Sequence, residues 1–344
     1  MSNRKDLNHS ALFLTLLGLL TLLLAGCSGS PVTMATPVLP TPAAASAAQN
    51  LDSPAAPPVL TPTAKTYADW PTGGWSTSSP EEQGMDSQEL AEMLAAIEQR
   101  HLNLHSLLII RNGYLVSETY FGSNGQDTRH ELYSCTKSFV ATLIGIALDK
   151  GYIDGTDQRI MDFFPDRTFA NLDEQKTAIT LEDTLTMRTG LDWQEGDPAY
   201  RAMYMSSDWV KHVLDEPMVA PPGSQFNYCS GCSHVLSAVL LQTTKMNPRD
   251  FADQNLFKPL GISNVQWDTD AGGTPIGGWG LQHAPRDMAK LGYLYLRNGQ
   301  WEGQQIVPAQ WVESATRAHA ETEGDLGYGY QWWTYPALAA YTAL

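Results

Sequence analysis

The spacing of apolar residues changes twice in the first structured stretch of the chain. Ser87 to Arg100 carries leucine and isoleucine at helical spacing, which predicts an amphipathic helix. His105 to Arg111 and Tyr114 to Phe121 are instead rich in β-branched and aromatic residues, as strands are. Asn112-Gly113 separates these two runs, so the sequence predicts a β-hairpin.

The next apolar stretch predicts a longer helix that carries an unexpected lysine. Helical spacing is kept by five apolar residues, Val140, Leu143, Ile144, Ala147 and Leu148. Ser134 stands at the start of this pattern, and Gly151 suits its end. Lys137 falls on the same stripe as Ala141 and Ile144, so we expect the lysine to point into the protein, which is unusual for this residue type.

Turns and short helices dominate the chain from there to about Leu260. Ser233 to Thr243 and Pro285 to Leu296 again show helical spacing, and Tyr328 to Tyr335 has the composition of a strand. The order of helix, hairpin, many helices and a late strand predicts an α/β sheet domain interrupted by a helical subdomain.

The first residues have the features of an exported lipoprotein. Basic residues precede an apolar run from Ala11 to Leu24, which is short for a membrane span and typical of a signal peptide. The run ends in Leu24-Ala25-Gly26-Cys27, which resembles a bacterial lipobox. The resemblance implies that residues 1–26 are removed and that Cys27 carries the lipid; an ordinary secretory signal with a chance cysteine is the alternative.

Residues 27–66 have a different composition from the rest of the chain. They are rich in proline, alanine, threonine and serine, bury too little apolar surface to fold and predict an extended, disordered tether. The folded domain is expected over residues 67–344. A lipid on Cys27 would hold this domain at the membrane, outside the cytoplasm, in the bacterial cell envelope.

Charge and cysteine usage exclude some partners. The 344 residues carry a formal charge of −16 without a basic cluster, so we expect no nucleic acid partner. Cys229 and Cys232 have no second Cys or His pair at zinc spacing, so we expect no metal. Small buried thiols are the favoured interpretation of Cys135, Cys229 and Cys232, and a disulfide among them stays open.

The candidate chemistry begins with Ser134-Cys135-Thr136-Lys137. Serine is a poor nucleophile at its own pKa and needs a neighbouring base. A lysine three residues later lies on the same helix face, and burial would lower its pKa enough for that task. The alternative is that Ser134 merely caps the helix.

A second informative stretch runs from Gly223 to Gly231 and contains Tyr228 and Ser230. With the Ser134–Lys137 motif it resembles the serine β-lactamase and penicillin-binding-protein superfamily, and within it class C β-lactamases, family VIII esterases, D-alanyl-D-alanine peptidases and 6-aminohexanoate-dimer hydrolases. Further family-like stretches are Leu185 to Leu191, Gly277 to Leu281 and Arg286 to Gly292. The resemblance implies an antiparallel sheet flanked by helices, with an inserted, mainly helical subdomain.

The resemblance also implies roles for four residues. Ser134 would accept the acyl group, Lys137 would be its proton partner, and Tyr228 would pass a proton to the leaving group. A lysine ammonium nearby would lower the pKa of Tyr228. Ser230 stands where class C enzymes have asparagine, which contacts the substrate amide, and its shorter hydroxyl weakens the case for efficient β-lactam turnover. A deacylating glutamate of the class A kind is not recognised, and no cofactor is implied.

The third motif of the superfamily, Lys-Thr-Gly or His-x-Gly, does not occur in the sequence. It would follow the strand predicted up to Tyr335, and the chain stops at Leu344. The resemblance therefore implies a C-terminal truncation that removes strands and one oxyanion donor, which typically costs about a hundred- to a thousandfold in rate. We expect the chain as given to fold poorly or to be nearly inactive.

The leading hypothesis is an extracytoplasmic serine hydrolase that forms an acyl-enzyme on Ser134. Its substrate would be a small ester, an amide or a D-alanyl peptide. It would contact the membrane through the lipid anchor. The alternative is a penicillin-binding or sensor protein on the same scaffold that turns over slowly or only binds. A fragment without activity is a third interpretation. The sequence leaves the substrate and the oligomeric state open.

Overall fold

Helices and short antiparallel strands alternate along the part of the chain that the computed structural model describes, residues 68–196, 198–322 and 324–335. The predicted signal peptide, Cys27 and the tether over 27–66 lie outside these residues. Within the same ranges, no helix combines the length and apolar character that crossing a bilayer requires. The expected C-terminal truncation stays a prediction.

The helices are mostly short, and two of fifteen residues stand out. Their bounds are α1 Ser87–Gln99, α2 Cys135–Asp149, α3 Glu174–Ala178, α4 Leu181–Leu185, α5 Ala199–Met205, α6 Trp209–Asp215, α7 Ser230–Thr244, α8 Pro248–Ala252, α9 Pro285–Leu296 and α10 Ala309–Thr316. The helices predicted from spacing are confirmed in α1, α2, α7 and α9. The predicted run of turns and helices up to about Leu260 contains α3 to α8, and the helical subdomain stays a prediction.

The strands pair antiparallel, as expected, but in several small sheets. Their bounds are β1 Ser106–Arg111, β2 Tyr114–Tyr120, β3 His130–Glu131, β4 Gln266–Trp267, β5 Leu281–His283, β6 Gln300–Trp301, β7 Gln304–Gln305, β8 Ala320–Glu321, β9 Gly327–Tyr328 and β10 Trp333–Thr334. The sheet orders are β1-β2, β3-β5-β4, β6-β7 and β10-β9-β8. The mixed α/β class is confirmed.

The predicted hairpin is present as β1 and β2. Asn112 and Gly113 have φ angles of 52° and 84°, which is the left-handed backbone that a two-residue turn with the twist of the strands requires. The register pairs Ser106 with Tyr120 and shifts once, at Ile109 and Ile110.

The core is built around α2, which is apolar on nearly all sides. Its side chains from Phe139 to Ala147 are buried, and the helix packs against α7. A helix that is hydrophobic all round belongs in the interior, because no face of it gains from contact with water. Lys137 is only 1% exposed on this helix, which confirms the inward direction predicted from the sequence.

The single strand predicted from Tyr328 to Tyr335 is wrong. Two short strands, β9 and β10, face each other across a turn in which Gln331 has a φ of 61°. The Gln331 side chain is buried, accepts a hydrogen bond from Ser233 Oγ at 2.7 Å and donates one to the Leu185 carbonyl at 2.8 Å. These buried hydrogen bonds stabilise a turn that the local amino-acid composition does not predict.

Two helical glycines differ in the space around them, which gives a matched stability test. A Cβ on Gly145 of α2 would lie 2.5 Å from the Trp311 ring, whereas a Cβ on Gly292 of α9 would meet nothing within 4 Å. We expect Gly145→Ala to lower the free energy of unfolding by about 1–3 kcal/mol through overpacking. Gly292→Ala should raise it by about 0.5–1 kcal/mol, because alanine loses less backbone entropy in a helix.

Urea unfolding of both variants beside the parent protein measures these changes. Equal effects of the two substitutions would contradict the described contact between α2 and α10.

Candidate active site

Ser134 lies immediately before α2, and its hydroxyl is not used to cap the helix. Ser134 occupies the N-cap position but makes no side-chain capping hydrogen bond, and the residue is exposed. The alternative that Ser134 merely caps the helix therefore fails. The side-chain oxygen of a capping serine would accept a hydrogen bond from a backbone N–H of the first turn.

A strained turn presents the serine. Tyr133 has a φ of 45°, an uncommon conformation for an aromatic residue, which has to be imposed by its surroundings. The Glu131 carboxylate helps to hold this conformation. It accepts hydrogen bonds from the backbone N–H of Tyr133 at 3.0 Å and of Gly280 at 2.7 Å. Sequence reasoning missed Glu131, because an isolated glutamate gives no sign of its backbone partners.

Lys137 is the centre of the hydrogen-bond network. Its Nζ lies 3.2 Å from Ser134 Oγ, 2.9 Å from Ser230 Oγ and 2.9 Å from the Gly278 carbonyl oxygen. Burial lowers the pKa of Lys137 to about 8, while the charges of Glu195 and Cys135 act in the opposite direction. A substantial fraction of the amine is therefore neutral at mildly alkaline pH.

Two adjacent glycines let the Gly278 carbonyl reach this lysine. A Cβ on Gly277 would lie 2.0 Å from the Ser233 carbonyl oxygen, and one on Gly278 would lie 2.9 Å from the Ser230 carbonyl oxygen. Only residues without a side chain allow the loop before β5 to approach α7 this closely. The glycine-rich stretch noted in the sequence thus has a steric reason beside the site.

Tyr228 approaches Lys137 with its ring rather than as an ion-pair partner. Lys137 Nζ lies 4.7 Å from the ring centroid, and Trp333 stacks on the same ring at 5.7 Å. Burial raises the pKa of Tyr228 to about 12, although a hydrogen bond with Ser134 acts in the opposite direction. The expected lowering of this pKa is therefore wrong, since loss of hydration outweighs any help from the ammonium.

Ser230 is the first residue of α7, and its hydroxyl is engaged on both sides. It accepts from Lys137 and donates to Glu195 Oε1 at 2.5 Å. The residue is only 1% exposed, so its expected contact with substrate stays a prediction. Sequence reasoning missed Glu195, which stands in a turn before α5 with no spacing that relates it to Ser134 or to Ser230.

The cysteines depart from the favoured expectation. Cys229 and Cys232 form a disulfide and are not free thiols, and Cys135 is free and exposed rather than buried. The bridge encloses the first turn of α7, with Tyr228 directly before it and Ser230 inside it. Cys229 Sγ also accepts the backbone N–H of Cys232 at the helix start. A short covalent loop thus fixes the segment that carries two candidate site residues.

A cavity of about 230 Å³ opens above the serine, lined by Tyr133, Ser134, Tyr200, Tyr204, Ser230, Gly278 and Trp279. Its wall is aromatic, because Trp279 contacts Tyr200 and Tyr204 with ring centroids 5.3 and 5.9 Å apart. Trp279 is the tryptophan in its lining. Elsewhere, a cavity of about 560 Å³ lies beside β8 to β10, away from the serine and lysine.

In the ranges that the structure covers, no three His, Cys, Asp or Glu side chains are grouped so as to hold a metal ion. The polar groups linked to Ser134 and Ser230 by hydrogen bonds are instead an amine, a phenol and a carboxylate. Such a set is suited to moving protons around a nucleophilic oxygen.

The profile of the beta-lactamase family matches residues 81–341, which include every one of these groups. The chain belongs to the beta-lactamase family. The resemblance inferred from Ser134, Lys137 and Tyr228 is therefore confirmed at the level of the family.

The relatives of this family member include hydrolases. The chain is 26% identical over 283 residues to the 6-aminohexanoate-dimer hydrolase of Paenarthrobacter ureafaciens, covering 74% of this chain and 71% of the relative. The fold is similar to that of EstCE1, a hydrolase with promiscuous acyltransferase activity, with a TM-score of 0.61, 19% identity and coverage of 74% and 85%.

A third similarity is to a Bacillus anthracis protein provisionally named a 6-aminohexanoate-dimer hydrolase. The TM-score is 0.57 with 23% identity, and the match covers 66% of this chain. It covers 64% of the Bacillus anthracis protein, so the chain spans less than two thirds of that relative. At these identities the solved structures show a shared fold.

The disulfide gives a stability prediction for the site. Closing a four-residue loop restricts the unfolded chain only modestly, so we expect replacement of Cys229 and Cys232 by serine to lower the free energy of unfolding by about 2 kcal/mol. Denaturant unfolding without reductant measures the change. Cys135→Ser, which removes the free thiol, is the matched control and should leave stability within about 0.5 kcal/mol. A control as destabilised as the double variant would contradict the assignment of the bridge.

Proposed function

We propose that the chain is a serine hydrolase in which Ser134 forms an acyl-enzyme with an ester, an amide or a D-alanyl peptide. The observation that carries this proposal is the pair of Ser134 Oγ and Lys137 Nζ, 3.2 Å apart, with Ser134 lining an open cavity. Nucleophile and base within hydrogen-bond reach are the requirement for covalent catalysis by serine.

In the acylation step, neutral Lys137 takes the proton of Ser134 as Oγ bonds to the substrate carbonyl carbon. The tetrahedral intermediate then breaks its bond to the leaving group, which needs a proton to depart. Tyr228 remains a neutral phenol at physiological pH, because burial raises its pKa to about 12. The phenol therefore keeps a proton that it can donate to the leaving group, and in the proposed step the Lys137 ammonium restores that proton.

In deacylation the direction of proton transfer reverses. Water attacks the acyl carbonyl, its proton passes to the Tyr228–Lys137 pair, and Ser134 leaves with a proton returned to Oγ. The Glu195 carboxylate already accepts four hydrogen bonds and is not free to activate this water.

The substrate class is inferred from the cavity and from the relatives. Aromatic walls formed by Tyr200, Tyr204 and Trp279 favour apolar acyl groups over charged ones. The relatives include one named a 6-aminohexanoate-dimer hydrolase and one described as a hydrolase with promiscuous acyltransferase activity. Ser230 in place of an amide side chain argues for esters and linear amides over rapid β-lactam turnover.

The proposed setting is the outer side of a bacterial membrane. It rests on the lipobox-like Leu24-Ala25-Gly26-Cys27 and on the tether over 27–66, with lipid on Cys27 as the anchor. The disulfide between Cys229 and Cys232 agrees with an oxidising compartment. Incorporation of labelled fatty acid by the wild-type chain, abolished in Cys27→Ser, tests this proposal.

Trapping the acyl-enzyme tests the function. We expect an activated short-chain ester to add its acyl mass to the chain and the adduct to decay on the timescale of hydrolysis. Ser134→Ala should form no adduct, and Lys137→Ala should form it about a hundred- to ten-thousandfold more slowly, since the base is lost. Intact-mass spectrometry at timed intervals, followed by peptide mapping, measures both.

Ser138→Ala is the matched serine control, because Ser138 lies one turn further along α2 and bonds the Gln331 carbonyl away from the cavity. It should acylate like the parent. A parallel reaction with a penicillin separates the readings: an adduct that persists with both reagents favours the penicillin-binding or sensor function, and absence of any Ser134 adduct contradicts the proposal.

The pH dependence follows from the lowered pKa of Lys137. Only the neutral amine accepts a proton, so kcat/KM should rise about tenfold per pH unit at low pH and level off above about 8. Initial rates with an uncharged ester between pH 5.5 and pH 9.5, roughly the range in which the protein is expected to stay folded, give the profile.

Lys150→Met is the control, since Lys150 is an exposed lysine at the other end of α2 and should keep the same midpoint. A flat profile in the parent protein would show that Lys137 is not the base.

A further inference from the structure

Glu195 is an exposed residue, yet both oxygens of its carboxylate are fully engaged. Oε1 accepts from Ser230 Oγ at 2.5 Å and from the Tyr200 hydroxyl. Oε2 accepts from the backbone N–H of Ser230 at 3.0 Å and from Trp193 Nε1 at 2.7 Å. An ionised carboxylate offers about four acceptor positions, and these donors fill them.

The bond from Ser230 to Glu195 decides what Ser230 offers to Lys137. A hydroxyl has one proton to donate and two lone pairs to accept with. A carboxylate can only accept, so the proton of Ser230 points to Glu195. Towards Lys137, 2.9 Å away on the other side, Ser230 Oγ is therefore an acceptor.

The hydrogens and lone pair of the Lys137 amine can be assigned in the same way. Neutral Lys137 has two hydrogens and one lone pair, and it has contacts with Ser230 Oγ, the Gly278 carbonyl oxygen and Ser134 Oγ. A carbonyl can only accept, and Ser230 is also restricted to accepting. Both hydrogens of the amine are thus committed, and the lone pair is left facing Ser134, which holds the proton to be removed.

We propose that Glu195 is a positioning residue which, by taking the proton of the Ser230 hydroxyl, directs the lone pair of neutral Lys137 towards Ser134. The proposal rests on the proposed function, because it refines how the base of that reaction is oriented. Without the carboxylate, the Ser230 proton is free to turn towards the Lys137 lone pair and compete with Ser134 for it.

The charged and titratable groups around Lys137 define the pH effect of removing Glu195. Cys135 lies on the same helix, Tyr228 lies before α7, and Glu195 lies before α5. The charges of Glu195 and Cys135 raise the pKa of Lys137 against the effect of burial. Loss of the Glu195 charge should therefore lower the pKa of Lys137 further, while its lone pair becomes less well directed.

The first measurement is the titration of Lys137 by NMR, using the side-chain resonances of isotope-labelled lysine and assigning Lys137 with Lys137→Arg. In Glu195→Gln we expect the midpoint to fall by about half a pH unit, since an exposed charge is partly screened. Asp192→Asn removes the same charge from an exposed position on the same segment and should leave the midpoint unchanged. An unchanged midpoint in Glu195→Gln overturns the proposal.

The second measurement is the rate of Ser134 acylation by an activated ester across the pH range. Glu195→Gln should lower the high-pH plateau about ten- to a hundredfold and move the acid limb to lower pH, in the direction of the NMR titration. If Glu195 had only a structural role, Glu195→Gln would lower the high-pH plateau of the rate without shifting the part of the profile that rises with pH. Asp192→Asn should keep both the plateau and the limb of the parent.

A double-mutant cycle separates an action through Ser230 from a general loss of structure. In the Ser230→Ala background no hydroxyl proton is left to compete, so Glu195→Gln should change the plateau by less than about threefold. Equal fold-losses in the two backgrounds overturn the proposal. Absence of acylation in the parent protein contradicts the proposed hydrolase instead, and the Lys137 titration then decides on its own whether Glu195 acts on the lysine.

Discussion

The burial of the Lys137 amine is the constraint on which the rest of the site depends. An amine inside a packed core is unfavourable unless it finds hydrogen-bond partners, and here the partners come from the turn before α2, the start of α7 and the loop before β5. These segments are far apart in sequence, so their convergence requires the whole core between α2 and α7. The lowered pKa of the lysine and the open cavity above Ser134 are two results of one packing arrangement.

The polar groups of the site form layers around that amine. Ser134 lies on its open side and Ser230 behind it, and Glu195 lies behind Ser230. Glu131 plays a comparable role for the backbone, because it holds Tyr133 in a strained conformation that keeps the serine exposed. Both carboxylates act through neighbours and leave the reacting atoms to other groups. A site of this design is sensitive to residues that never touch a substrate.

Sequence reasoning recovered the elements whose signals are local. The Asn112-Gly113 turn, α9 and the apolar pattern of α2 depend on neighbouring residues, and each is found where it was predicted. Ser134 and Lys137 could be paired because a helix brings positions three apart together. The family resemblance added Tyr228 and Ser230, which no spacing rule connects to α2.

The misses have a common physical origin, which is that tertiary contacts outweigh local preference. Gln331 adopts a left-handed turn inside a strand-like run because its amide is bonded in the core. Burial reverses the expected pKa shift of Tyr228, and burial cannot be read from a motif. Glu195 is a turn residue whose importance lies in four hydrogen bonds to partners that are not identifiable from its own surroundings in the sequence.

The Cys229–Cys232 bridge makes the site depend on where and when the chain matures. Ser230 stands inside the covalently closed turn and Tyr228 directly before it, whereas Lys137 stands on α2 and Ser134 directly before that helix. A copy of the chain held among reducing thiols would carry a complete α2 and an unbraced start of α7. The complete site therefore requires two different things, a packed core and a compartment in which the bridge persists.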